Sequence, residues 1–196
     1  MARYSKTHKE ETRRRILTEA ARRFREDGLA AVGLRSLMTD AGLTHGGFYA
    51  HFESREALVA EAIGTSLEQA LATLTRIAED GGIEEIVRRY LDPKHRENTG
   101  NGCTAASLTA EIARESSRIR ETFAEALAPI IQLMADQMPE GGTPEQRLAR
   151  ARAVFALLMG SLQLARAEPD TQISDAFLEV GCENTLRLIR MPWPED

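Results

Sequence analysis

Leu34-Arg-Ser-Leu-Met-Thr-Asp-Ala-Gly-Leu-Thr-His-Gly-Gly-Phe-Tyr-Ala-His-Phe-Glu-Ser-Arg-Glu-Ala-Leu58 holds two very short helical segments around a glycine-containing turn, followed by a capped, longer helix. Leu34 to Ala41 reads as one helix, Gly42-Leu43 as the turn, and Thr44 to Phe52 as the next helix, with the Thr44 hydroxyl as its candidate cap. Ser54 stands where it can cap the helix after that. Two short helices joined by a tight turn are the layout of a helix-turn-helix, whose second helix enters the major groove of DNA.

Upstream of this stretch, a helix is expected from the capping box Thr7-His-Lys-Glu10. It turns Ile16, Leu17, Ala20, Ala21 and Phe24 inward and stops at Gly28, which can take the left-handed conformation. Downstream, every periodic segment has the helical period, so the expected fold is all-α with about nine helices: a three-helix domain over 1–55 and a helical domain over 56–196. The helix capped by Ser54 is expected to end at Asp80-Gly-Gly82, with a short helix over Ile83 to Leu91 and a breaker-rich mobile loop over Asp92 to Gly102. Helices follow at Cys103 to Glu115 and Arg118 to Met138, the second broken or kinked at Pro129. Thr143-Pro-Glu-Gln146 combines a cap, a proline at the first helical position and a capping glutamine, so a helix starts at Pro144. The last two helices, about 144–190, are too broadly apolar for monomeric surface helices and read as a homodimer face.

The overall charge of −5 hides a division along the chain. Residues 1–55 carry 11 Lys/Arg against 7 Asp/Glu, a net of +4; the remaining 14 basic and 23 acidic residues give 56–196 a net of −9. A basic head on an acidic body suits a terminus that meets phosphates. No apolar run is expected to cross a bilayer, and Met1-Ala-Arg-Tyr-Ser-Lys6 does not resemble a secretory signal; a cytoplasmic location is expected, with no membrane partner. Cys103 and Cys182 have no metal-ligand spacing, and no phosphate loop or nucleophile motif is present, so no enzyme, metal or cofactor is expected.

Within the head, Arg35, Thr44 and His45 are the candidates for base edges, with Gly46 and Gly47 letting the backbone approach DNA closely. Tyr49, His51 and Arg55 are candidate phosphate donors, and Lys6 and Lys9, with Arg13, can reach the DNA backbone or an adjacent minor groove. Phe48 and Phe52 read as core plugs.

The pattern of a glycine closing the first helix, then Leu37-x-x-x-Ala41-Gly42-Leu43-Thr44, then Phe48-Tyr49-x-His51-Phe52-x-Ser54-Arg55-Glu56-x-Leu58, resembles the tetracycline-repressor (TetR) family of transcriptional regulators over about residues 8–60. Gly33 stands where that family usually has threonine. The resemblance implies a homodimeric repressor that binds a palindromic double-stranded operator and is released from it by a small-molecule inducer. With few aromatic residues, the inducer pocket is expected to be plainly apolar; candidates are Leu91, Cys103, Leu108, Ile112, Phe123, Leu127, Ile131, Met134, Phe155 and Met159. Cys103, at a helix N-terminus, is an alternative trigger as a thiol sensor of electrophiles or oxidants. An architectural DNA binder without inducer is the competing class.

Overall fold

The computed structural model describes residues 2–194, the side chains of residues 2–7 and of His45 excepted. Among the described residues there are eight α-helices, two 3₁₀ segments and no strand: α1 Ala2–Asp27, α2 Leu34–Asp40, a 3₁₀ turn His45–Ala50, α3 Arg55–Tyr90, α4 Pro93–Glu97, a 3₁₀ turn Thr99–Asn101, α5 Thr104–Ile112, α6 Ser117–Asp136, α7 Pro144–Ala167 and α8 Thr171–Arg190. Lys6 and His45 lie outside the described side chains.

The head folds around Phe24, Leu37, Met38, Phe48 and Leu58, none more than 1% exposed. The α1 helix runs past Thr7 to Ala2, so no capping box forms there; nothing between Ala2 and Lys6 breaks a helix. It ends as expected at Gly28, whose φ of +86° suits a residue without Cβ, and Gly28 N–H donates to the Phe24 carbonyl at 2.9 Å. Neither Gly33 nor Thr44 makes a side-chain cap bond, whereas Ser54 Oγ accepts from Ala57 N–H at 3.0 Å and starts α3. The segment expected as a helix over Thr44 to Phe52 is a six-residue 3₁₀ turn. Two consecutive glycines lack intrinsic helix propensity, and the buried rings of Phe48 and Phe52 set its path instead.

The two helices expected over 55–78 and 83–91 form the two arms of α3, and the break expected at Asp80-Gly-Gly82 is there, where Gly81 and Gly82 leave helical geometry, Gly82 at φ +63°. Counting the two arms as one helix and the 3₁₀ turn as none removes two from the nine expected, and α4, in the segment expected as a loop, adds one, which gives eight. The expected mobile loop over 92–102 is instead folded. Asp92 caps α4 by accepting from Lys94 N–H at 2.8 Å, Pro93 fills the first turn, and the 3₁₀ turn Thr99–Asn101 follows. Pro129 is exposed on an uninterrupted α6; the carbonyl it leaves without an intrahelical donor can bond water. The capping box at Thr143 forms in full, with Gln146 N–H to Thr143 Oγ1 at 3.2 Å and Thr143 N–H to Gln146 Oε1 at 2.9 Å.

Contrary to expectation, α7 is, by length and composition alone, long and apolar enough to cross a membrane. Here it packs against α5, α6 and α8. The outer faces of the α7 and α8 pair keep large apolar side chains in solvent: Leu164 is 52% exposed, Ile173 50% and Val180 56%.

Head and body are joined by more than α3. Glu111 of α5 accepts from Leu29 N–H at 2.8 Å and from Ala30 N–H at 3.4 Å, just beyond the Gly28 turn. Arg25 of α1 donates from Nε and Nη2 to the Gly100 carbonyl and from Nη1 to Ser66 Oγ at 2.5 Å and Thr104 Oγ1 at 3.2 Å.

Candidate nucleic-acid interface and ligand cavity

On the head, Arg35, Thr44, Gly46 and Tyr49 are exposed, Tyr49 at 68%, its ring held edge-on against Phe48 with centroids 5.1 Å apart. A Cβ added to Gly46 would meet nothing within 4 Å, and one on Gly47 would touch only Met38 and Thr44 at 3.9 Å. The fold itself therefore does not require these two glycines; the space beside them is open to a partner. Lys9 is exposed on α1. His51 is half-buried, its Nδ1 enclosed without a hydrogen-bond partner among the described residues. Burial, then the positive charges of Lys9 and Arg13, hold its pKa below the ordinary histidine value.

Arg55, expected at the phosphates, has a partner within the head. It is half-buried, and its Nη2 donates to the Leu29 carbonyl, tying the start of α3 to the loop after α1. Arg13 is likewise engaged: it lies over the Phe52 ring at 4.7 Å, donates from Nε to the His51 carbonyl at 3.3 Å and pairs with Glu61. Both arginines brace the head.

In the body, a cavity of about 620 Å³ opens between α1, α3, α4, α5, α6 and α7. Of the ten residues expected to line it, Cys103 and Phe155 do. Leu91, Leu108, Ile112, Ile131 and Met134 are spent in the core, at 9% exposure or less, and Phe123, Leu127 and Met159 pack against it. Helical periodicity marks which faces are covered but does not separate a face that meets another helix from one that meets a void. The apolar wall is Leu67, Ala70, Leu74, Ile77, Ile86, Ile130 and Phe155. Contrary to the plainly apolar pocket expected, the lining also has a polar part: Arg25, Ser66, Thr104, Tyr90, Asp92, Lys94 and His95.

That polar wall is fixed by His95. Its Nε2 accepts from Cys103 N–H at 3.2 Å, which requires Nδ1 to carry the proton, and Nδ1 donates to the Tyr90 carbonyl at 2.7 Å. The ring stands edge-on to Tyr90 at 4.8 Å. Burial pushes its pKa below the usual histidine value, outweighing the Tyr90 carbonyl, which favours the proton. Arg166 of α7 closes the back by donating to the carbonyls of His95 and Arg96 at 3.0 and 3.1 Å. Cys103 Sγ caps α5 by accepting from Ala106 N–H at 3.4 Å. With both His95 nitrogens engaged, that ring is not available to deprotonate the thiol, and the thiol-sensor alternative is not adopted.

A histidine held neutral when folded destabilises the protein on acidification. Above the unfolded value near 6.5, His95 is neutral in both states; as pH falls through that value, the unfolded chain takes up a proton that the folded chain refuses, and stability declines until the depressed folded pKa is reached. The expected result is a melting temperature that falls between about pH 7 and pH 5, with a shallower slope in His95→Phe. An equal slope in that variant would assign the effect to other groups.

Comparison with known proteins places this geometry. Residues 16–62 match the family described as bacterial regulatory proteins, tetR family, and residues 81–177 match the C-terminal domain described as transcriptional regulator LmrA/YxaF-like. The HTH-type transcriptional repressor NemR of Escherichia coli is 25% identical over 166 residues, 77% of this chain and 82% of that one. YfiR of Bacillus subtilis, an uncharacterized HTH-type transcriptional regulator, is 28% identical over 88 residues, which span 45% of this chain and 43% of its own length. The crystal structure of reduced E. coli NemR superposes with a TM-score of 0.76 at 22% identity, covering 93% of this chain and 98% of that one, and so shares its fold. Together the two matched segments span most of the sequence, from the helix-turn-helix through α7, and the chain belongs to the tetR family of transcriptional regulators.

Proposed function

We propose that the protein is a homodimeric, cytoplasmic repressor that reads a palindromic operator and is released by a small amphipathic effector. The observation that carries the reading is the Arg25 side chain, which belongs to the reading head and yet forms part of the wall of the effector cavity. A ligand there has different contacts when α1 is docked or displaced, and differential affinity for two arrangements is what release requires. Pairing through the outer faces of α7 and α8 would bury Leu164, Ile173 and Val180 and present two heads to two half-sites. The cavity supports an effector over a purely architectural role, since architectural binding has no use for one.

Arg35 and Tyr49 divide the DNA roles. In Arg35→Ala, discrimination at one base pair of each half-site is expected to fall by about 1–3 kcal/mol, with little change at the others. Tyr49→Phe is expected to weaken all sequences by a similar factor. Binding assays on an operator and its single-base variants check both, and uniform loss in Arg35→Ala would remove Arg35 from base reading. Loss of operator binding on adding a cavity ligand, with the dimer intact, tests the regulatory reading.

A further inference from the structure

The polar wall of the cavity has donors that the protein does not satisfy. Tyr90 is only 9% exposed and is among the residues lining the cavity; its hydroxyl is enclosed, with the Cys103 thiol beside it and no oxygen or nitrogen partner among the described residues. Burial holds the Tyr90 pKa well above the ordinary tyrosine value, so the hydroxyl keeps its proton and remains a donor. Arg25 lines the same cavity, and its partners among the described residues are all neutral: the Gly100 carbonyl and the hydroxyls of Ser66 and Thr104. Four contacts leave one of its five N–H groups over. A buried donor without an acceptor and a half-buried cation without a counter-ion are each unfavourable alone.

Both groups abut the start of α5. Arg25 bonds Thr104, and Tyr90 meets edge-on the histidine that accepts from Cys103 N–H. The N-terminal end of a helix adds a further preference for negative charge. Among the described residues, Asp92 is the only acidic side chain lining the cavity, and it is occupied at the cap of α4.

We propose that the effector is an amphipathic carboxylic acid, its carboxylate held by the Arg25 guanidinium and the Tyr90 hydroxyl and its apolar body lying along Leu67, Leu74, Ile77, Ile86, Ile130 and Phe155. This rests on the effector cavity proposed above and adds the chemistry of its head group. A carboxylate competes with the Gly100 carbonyl for the Arg25 donors, so capture of the ligand reaches α1 directly as well as through α3.

Three probes with one tail separate the possibilities: decanoate, decanol and decylamine, each below its micelle concentration, displacing the uncharged dye N-phenyl-1-naphthylamine from the full-length protein. Dye bound in the cavity is identified by its loss in Leu74→Arg. Decanoate is expected to displace it about tenfold more tightly than decanol, with decylamine weakest, as one or two charge-assisted hydrogen bonds allow. In Tyr90→Phe, which keeps the ring, that preference is expected to shrink several-fold while decanol is unchanged; Arg25→Gln is expected to shrink it further. Equal displacement by decanoate and decanol would overturn the carboxylate assignment and leave the cavity reading standing. So would an unchanged preference in Tyr90→Phe and Arg25→Gln together. Failure of the dye itself to bind in a Leu74-dependent way would overturn the cavity reading and this inference with it.

Discussion

Phe48→Ala is expected to destabilise the reading head by about 3–5 kcal/mol, the range for truncating a buried aromatic ring. Phe48 is fully buried, stacks on Phe52 at 5.6 Å between ring centroids and supports Tyr49 from below. It sits in a six-residue 3₁₀ turn whose backbone bonds are few, among them Gly47 N–H to the Thr44 carbonyl at 3.0 Å and His51 N–H to the Phe48 carbonyl at 2.9 Å. With Gly46 and Gly47 contributing nothing to helix stability, no local force replaces the lost packing. A domain stability of roughly 5–15 kcal/mol leaves little margin for such a loss. Thermal unfolding followed by circular dichroism should show an early transition for part of the helix signal, with operator binding gone at temperatures where the body is still folded. A variant that melts as the parent does and still binds would mean that the reading turn holds its shape without its central ring.

The second large effect concerns the proposed dimer. Val180→Asp on α8 and Leu164→Asp on α7 each place a carboxylate on a face that is more than half exposed in the single chain, so the monomer fold should tolerate either change. At a dimer interface, the same carboxylate is buried without a partner, which is costly. Each variant is expected to sediment as a monomer and to lose most operator affinity, because one head on one half-site forfeits the gain from tethering the second. Analytical ultracentrifugation and gel-shift assays read the two outcomes separately. Persistence of a dimer in both variants would move the interface elsewhere.

Much of the fold was legible because its punctuation is chemical. Gly28, Ser54 and Thr143-Pro144 each mark a helix end through a local backbone requirement that does not depend on the rest of the chain. Asp92-Pro93 has the same cap-and-proline form as Thr143-Pro144, yet the surrounding glycines and polar residues outweigh it in a reading for loops, and α4 is missed. The reading face was partly legible: exposure of Arg35, Thr44 and Tyr49 follows from helix position. The bond from Arg55 to the Leu29 carbonyl, by contrast, has no signal in the sequence. The cavity was hardly legible, since its polar wall depends on a tertiary meeting. In sequence, Arg25 is one arginine among several on the basic first helix, and nothing local points it at Ser66 and Thr104. The orphaned Tyr90 hydroxyl has no sequence signal at all.

The bonds from Glu111 to the Leu29 and Ala30 amides, and from Arg25 to Gly100, bear on the engineering of chimeric regulators. A graft cut at the beginning of α3 would separate two amides and a guanidinium from their acceptors, and a host domain with a different residue at either place would receive a reader that sits loosely. A Cβ at Gly100 would come within 2.1 Å of the Glu26 carboxylate and 3.2 Å of the Arg22 stem, so an alanine in the host obliges the exposed Glu26 side chain to turn away. Swapping specificities in this scaffold therefore calls for transplanting Gly100 and Glu111 along with the helix-turn-helix.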